Sequence, residues 1–120
     1  MKYMLLIYNN PVAMAEMTEE ERNGIYTQVD TIMKALTESG ELLGGEALAD
    51  PSTAKTVRVR GGAEAITDGP IAEAKEQFAG YLTVDCETEA RAVQIAASWP
   101  DAKYSAMEVR AVLDPAGMEM

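Results

Sequence analysis

The apolar positions of this chain fall into short stretches whose spacing switches between the periods of strands and helices. Apart from Lys2, residues 2–8 are β-branched, aromatic or long and apolar, and Asn9-Asn10-Pro11 stops them. That composition and boundary predict a strand. Its apolar residues do not alternate with polar ones: Tyr3, Leu5 and Ile7 point one way, Met4, Leu6 and Tyr8 the other. A strand of this kind is covered on both faces. Thr18 then opens a helix, with Glu21 completing a Thr-x-x-Glu capping box and Glu19 and Glu20 at the positive end of the dipole. Ile25, Val29, Ile32, Met33 and Leu36 recur at helical spacing, and Gly40 supplies the stop.

Residues 41–50 predict a short strand with a turn at Gly44-Gly45. Thr56-Val57-Arg58-Val59-Arg60 alternates as a strand does, Gly61-Gly62 is a hairpin turn, and residues 64–67 return. Asp68-Gly69-Pro70 breaks the chain. Tyr81 to Cys86 is a further strand, with Leu82, Val84 and Cys86 on one face. Thr88 caps a second helix carrying Ala92, Ile95, Ala96 and Trp99, which Pro100 ends. The last strand covers residues 104–113, with Met107, Val109, Ala111 and Leu113 together and Glu108 and Arg110 opposite.

The order β-α-β-β-α-β, with an extra hairpin between the halves, predicts a ferredoxin-like α+β fold: an antiparallel sheet with helices on one face. A single domain over residues 1–113 is expected, with a disordered tail over 114–120. One helical layer covers one sheet face, yet the first strand is apolar on both. The expected cover for the second face is another copy of the chain, a homodimer of the dimeric α+β barrel type.

Composition narrows the function classes. The 120 residues suit one domain, and 48% hydrophobic with 25% charged residues is the balance of a globular one. Twenty acidic against ten basic residues give a net charge of −10. That argues against nucleic acid as a partner, since phosphates require positive charge. Cys86 alone cannot form an intramolecular disulfide. With no histidine, Ser-His-Asp and Cys-His catalysis are excluded. The longest apolar run, Tyr3 to Tyr8, falls far short of the roughly 20 residues of a membrane span, so no membrane is expected and the location is expected to be cytoplasmic.

The densest chemistry lies in Asp68-Gly69-Pro70-Ile71-Ala72-Glu73-Ala74-Lys75-Glu76-Gln77. Asp68 is a candidate general base, because a carboxylate in an apolar cleft has a raised pKa; the alternative is a turn cap. Lys75 and Arg58 are candidates for holding a carboxylate or phosphate, or else pair with Glu73, Glu76 or Glu46. Glu73 and Glu76 would share a face on one helical turn. They are too few for a metal site, so no metal is expected. Without a Gly-x-Gly-x-x-Gly or Gly-Lys-Ser/Thr pattern no nucleotide cofactor is expected. Tyr8, Tyr26, Tyr81 and Tyr104 could line a pocket with their hydroxyls as donors, or else are half-buried core residues; Tyr8 and Tyr81 stand out because they belong to predicted central strands. Cys86 reads as a core thiol and Trp99 as the plug at the end of the second helix.

These segments together resemble the YCII-related family, in the branch known by its Asp-Gly-Pro-Phe signature. Met1-Lys2-Tyr3-Met4-Leu5-Leu6-Ile7-Tyr8 resembles that family's first strand. Gly44-Gly45-Glu46-Ala47-Leu48 is similar to its Gly-Gly-Glu-x-Leu segment, and Asp68-Gly69-Pro70 with Glu73-x-Lys75-Glu76 to its central motif. Ile71 stands where the signature has phenylalanine. Some relatives carry a histidine proposed to act with an aspartate, and no such pair can be carried over to a chain without histidine. The resemblance implies a dimeric ferredoxin-like fold with a cleft, but no established activity.

The residues and the resemblance lead to one principal expectation. A small organic acid or similar metabolite binds in a cleft of the homodimer, lined by Asp68, Lys75, Arg58, Glu46, Glu73, Glu76, Tyr8 and Tyr81. Cofactor-independent proton transfer or elimination would use Asp68 as the base. The alternative is a non-catalytic interaction module linked to transcription regulation, as some relatives are associated with sigma factors.

Overall fold

The structure, a computed structural model, describes residues 1–118. A four-stranded antiparallel sheet runs in the order β2-β5-β1-β6, from β1 (Lys2–Asn9), β2 (Leu42–Ala47), β5 (Gln77–Asp85) and β6 (Ala106–Ala111). This is the ferredoxin-like order. β3 (Lys55–Arg60) and β4 (Ala63–Asp68) form a separate two-stranded hairpin. Among the described residues no helix is long and apolar enough to cross a membrane.

The long helix α2 (Glu19–Ser39) begins as its sequence dictates. The Thr18 hydroxyl accepts from the Glu21 amide at 3.1 Å, while Glu21 Oε1 accepts from the Thr18 amide at 3.2 Å. It ends on Gly40 at φ 79°, a left-handed conformation that glycine adopts without a Cβ clash. Helix α3 (Glu89–Ser98) is capped by Thr88. Together the two helices cover one face of the sheet. The core between them holds Tyr3, Leu5, Leu36, Leu82, Val84, Ile95 and Trp99, with Cys86 buried beside them. Alternation leaves Met4, Leu6, Tyr8, Tyr81 and Thr83 half-buried on the other face.

Several expected boundaries move, each for a local reason. Asn9-Asn10-Pro11 stops β1 but also starts a short helix, α1 (Pro11–Glu16). The Asn10 carboxamide oxygen accepts from the amides of Val12 and Ala13, and Pro11 supplies a preset φ at the first position. The expected turn at Gly44-Gly45 is absent, because β2 runs through both glycines. A Cβ on Gly45 would lie 2.5 Å from the Tyr81 carbonyl oxygen and 2.8 Å from Leu82 Cδ2, so the glycine serves close strand approach. One register break in β2, between Leu42 and Gly44, leaves Leu43 as an extra residue. Pro100 does end α3, yet it opens another short helix, α4 (Pro100–Tyr104), where a connection had been expected. Residues 114–118 of the expected tail fold into a turn held by the Asp114 carboxylate, which accepts from the amides of Ala116 and Met118. Residues 119 and 120, the rest of that tail, lie outside the described residues.

Candidate functional site

A cavity of about 480 Å³ opens between α2 and the sheet. Helix α2 lends Ile25, Tyr26, Val29 and Met33, the face its periodicity creates. Ile7 and Asn9 come from β1, and Met14 from α1. The end of β2 contributes through Gly45 to Leu48, and β5 through Ala79, Tyr81 and Leu82. Trp99 and Asp101 close the wall. Most of these side chains are apolar, so Asp101 stands out.

Asp101 is placed by backbone that follows from the sequence around it. Trp99 is buried and its amide donates to the Ala96 carbonyl, which ends α3. Pro100 then opens α4, and the Asp101 carbonyl accepts from Ser105 at 2.7 Å. The carboxyl is therefore carried on a helical turn anchored by a core tryptophan. Burial pushes its pKa above the usual carboxylate value. The Trp99 indole N–H and the residue's own backbone N–H oppose that rise by bonding the charged form.

One recess adjoins the cavity, and a second adjoins that recess. The first, of about 300 Å³, is bordered by Arg22, Tyr26, Asp50 and Pro51 among others. The Arg22 guanidinium donates to the carbonyls of Met14 at 3.3 Å and Ala15 at 3.1 Å, at the end of α1. The other, of about 600 Å³, is more open and borders Asn10, Asp50, Ser52, Glu73 and Lys75. Hydrogen bonds from Ser52 hold the Asp50 carboxyl below its usual range.

The residues expected to share one site are distributed over three places. Asp68 ends β4 and lies opposite Lys55 across the hairpin. Its carboxylate pairs with the Lys55 ammonium, and its side chain is 82% exposed. It neither caps the expected turn nor borders any of these recesses. Arg58 is exposed on β3 opposite Ala65. Glu73 and Lys75 border the open recess, and Glu76 is exposed next to it. Residues 70–76 form bends rather than the helical turn expected for Glu73 and Glu76. Gln77 pins that segment by donating to the carbonyls of Ala72 and Ala74. Among the described residues neither Lys75 nor Arg58 forms an ion pair.

The structure brings Glu46 and Tyr81 together as register partners on β2 and β5, where both border the main cavity. Alternation sends their side chains to the outer sheet face. Tyr8 lies on that outer face too. Its hydroxyl donates to Glu108 Oε1 at 3.0 Å, and its ring meets Phe78 edge-on at 5.8 Å. Burial, then the Glu108 carboxylate, raises the Tyr8 pKa. No cluster of three or more potential metal ligands forms among the described residues.

Sequence reasoning missed Asp101 and Trp99 as wall residues, while Tyr26, one of the tyrosines that could line a pocket, does border the cavity. Tyr26 sits one residue from the apolar stripe of α2. The signal for Asp101 was Trp99-Pro100-Asp101, an acid in the first turn of a helix that proline opens.

The sheet order, the single helical layer and the cavity between them define an α+β protein of ferredoxin-like topology. Within that class, residues 1–115 match the YCII-related domain, and the chain belongs to the YCII-related family. It is similar to an uncharacterised protein, R00369, of Rhizobium meliloti (strain 1021). The two are 30% identical over 105 residues, covering 88% of this chain and 85% of the relative.

Proposed function

We propose that this protein binds a small organic molecule in the cavity between α2 and the sheet, as one half of a homodimer, with Asp101 exchanging a proton with the bound molecule. The observation that carries this reading is a half-buried carboxyl at the wall of a preformed, mostly apolar cavity. Cavities with an apolar lining and few polar groups suit small-molecule uptake. A carboxyl raised by burial exchanges protons closer to neutrality than an exposed one, which suits proton transfer or elimination without a cofactor. Asp101 thus takes the role expected of Asp68, since an exposed carboxylate paired with lysine lacks shelter from water.

The homodimer rests on the outer sheet face and on surface area. The chain exposes 8086 Å², against roughly 6,300 Å² for a compact monomer of its 13.0 kDa mass. The excess exceeds the roughly 800 Å² that a partner commonly buries in a stable interface.

A thermal-shift screen of small metabolites tests the binding reading, with wild type, Val29→Phe and Asp101→Asn side by side. Val29→Phe fills the cavity without adding charge. At least one compound should raise the melting temperature of the wild type, and Val29→Phe should lose that shift while staying folded. A ligand present at about 100 times its Kd adds about 2.7 kcal/mol of apparent stability, which is readily measured. Equal shifts in wild type and Val29→Phe would place binding elsewhere.

One observation favours a second reading, an interaction module without turnover. The β3–β4 hairpin presents Val57, Val59 and Ile66 at 58%, 56% and 61% exposure on one face. Under that reading no compound shifts any variant, and Ile66→Lys abolishes self-association or partner capture.

A further inference from the structure

Resting on the cavity reading above, we propose that the molecule bound there is an organic cation, an amine with an apolar body whose ammonium sits at the Asp101 carboxylate. Among the described residues no lysine or arginine borders the cavity. A bound organic anion would therefore lose its hydration with no positive charge in the wall to replace it. Arg22 belongs to the adjoining recess, and its guanidinium is already held by the Met14 and Ala15 carbonyls. The ionisable residues that border the cavity are Asp101, Tyr26, Glu46 and Tyr81, the last two with their side chains sent to the outer sheet face, and none of the four is cationic.

The neighbouring rings strengthen the preference. Trp99 and Tyr26 border the same cavity as Asp101, and aromatic faces attract an ammonium through their quadrupole. A carboxylate accepts through several lone pairs, which leaves Asp101 room for a donor from the ligand. The apolar side chains of Ile25, Val29 and Met33 would cover the ligand's hydrocarbon body. Burial raises the Asp101 pKa, and a cation beside the carboxylate would bring it back down. The whole chain, at −10, would attract a cation and repel an anion on approach.

The test uses three probes with the same ring and chain length class: phenethylamine, phenethyl alcohol and hydrocinnamate. Their affinities for the full chain are measured by calorimetry at neutral pH, for wild type, Asp101→Asn and Val29→Phe. The amine should bind about tenfold tighter than the alcohol, and hydrocinnamate weakest of the three. Asp101→Asn should remove the amine's advantage while leaving the alcohol's affinity within about twofold of wild type. Val29→Phe should weaken all three. If hydrocinnamate or the alcohol binds best, or Asp101→Asn leaves the order unchanged, the cation assignment is overturned while the cavity reading stands. If none of the probes binds, or Val29→Phe leaves every affinity unchanged, the cavity reading itself is overturned. Circular dichroism and melting curves show whether either variant has lost its fold. Asp101→Glu, which keeps the charge, provides a second route: retained preference for the amine supports the assignment, and its loss in a folded protein opposes it.

Discussion

Glu41 and Arg91 form the best-defined ion pair of the molecule. The Arg91 Nε and Nη2 donate to the two Glu41 carboxylate oxygens at 2.9 and 2.8 Å, tying the start of β2 to α3. Those bonds, opposed by burial and aided by the Ser39 hydroxyl, lower the Glu41 pKa from 4.5 to about 2. Because the folded value lies below the unfolded one, the pair stabilises the fold above pH 4.5, and that stability is lost as pH falls toward 2. The Arg91 side chain is 40% exposed, so solvent screening reduces the effect well below what the shift suggests. Glu41→Gln should cost about 1 kcal/mol at neutral pH and close to nothing at pH 2, read from urea unfolding at both pH values. An equal loss at both would mean that packing rather than charge explains it. Asp101 has the opposite sign. Its raised value means that burial of its charge opposes folding near neutrality.

At the scale of the elements, β2 shows how much of the fold was legible and where reading stopped. Strands β1, β5 and β6 and helices α2 and α3 follow from periodicity and caps, because Thr18, Gly40 and Thr88 announce their boundaries locally. Gly44-Gly45 carries no such information. The same pair would suit a turn, and only the position of Tyr81 and Leu82 on β5 shows that Gly45 is needed for strand approach. The short helices α1 and α4 were missed because proline was read as a stop, though each proline sits at a first helical position. Hence the candidate site was less legible than the fold. Charged residues close in sequence, from Asp68 to Glu76, separate onto a hairpin and a bend, while Asp101 reaches the cavity from a part of the chain without other candidate groups. Gly45→Ala should be among the costlier single-methyl changes, at about 2 kcal/mol or more, since its Cβ meets main chain that cannot move aside. Chemical denaturation measures this, and Gly44→Ala is the control, since nothing lies within 4 Å of a Cβ there. Similar costs at both positions would contradict the close-approach explanation.

The whole molecule is a flat body, 48 × 46 × 18 Å, with a radius of gyration of 16.4 Å where a compact chain of this length would have about 13.6 Å. The projecting hairpin and the uncovered sheet face both contribute to that openness. If the outer face pairs with a second copy, Leu6, half-buried at its centre on β1, is the place to disrupt it. Leu6→Glu should yield a folded monomer in analytical ultracentrifugation, and wild-type association should strengthen with salt, which screens repulsion between chains of charge −10. Identical sedimentation of the two proteins would remove this face from consideration. The extra residue at Leu43 has a different bearing on self-association. β2 is an outermost strand, and a foreign strand laid along it would lose register after Leu42, where the ladder slips by one position. The β2 edge is thereby made a poor template for fibrillar extension, whereas the β6 edge at the other end of the sheet carries no such break.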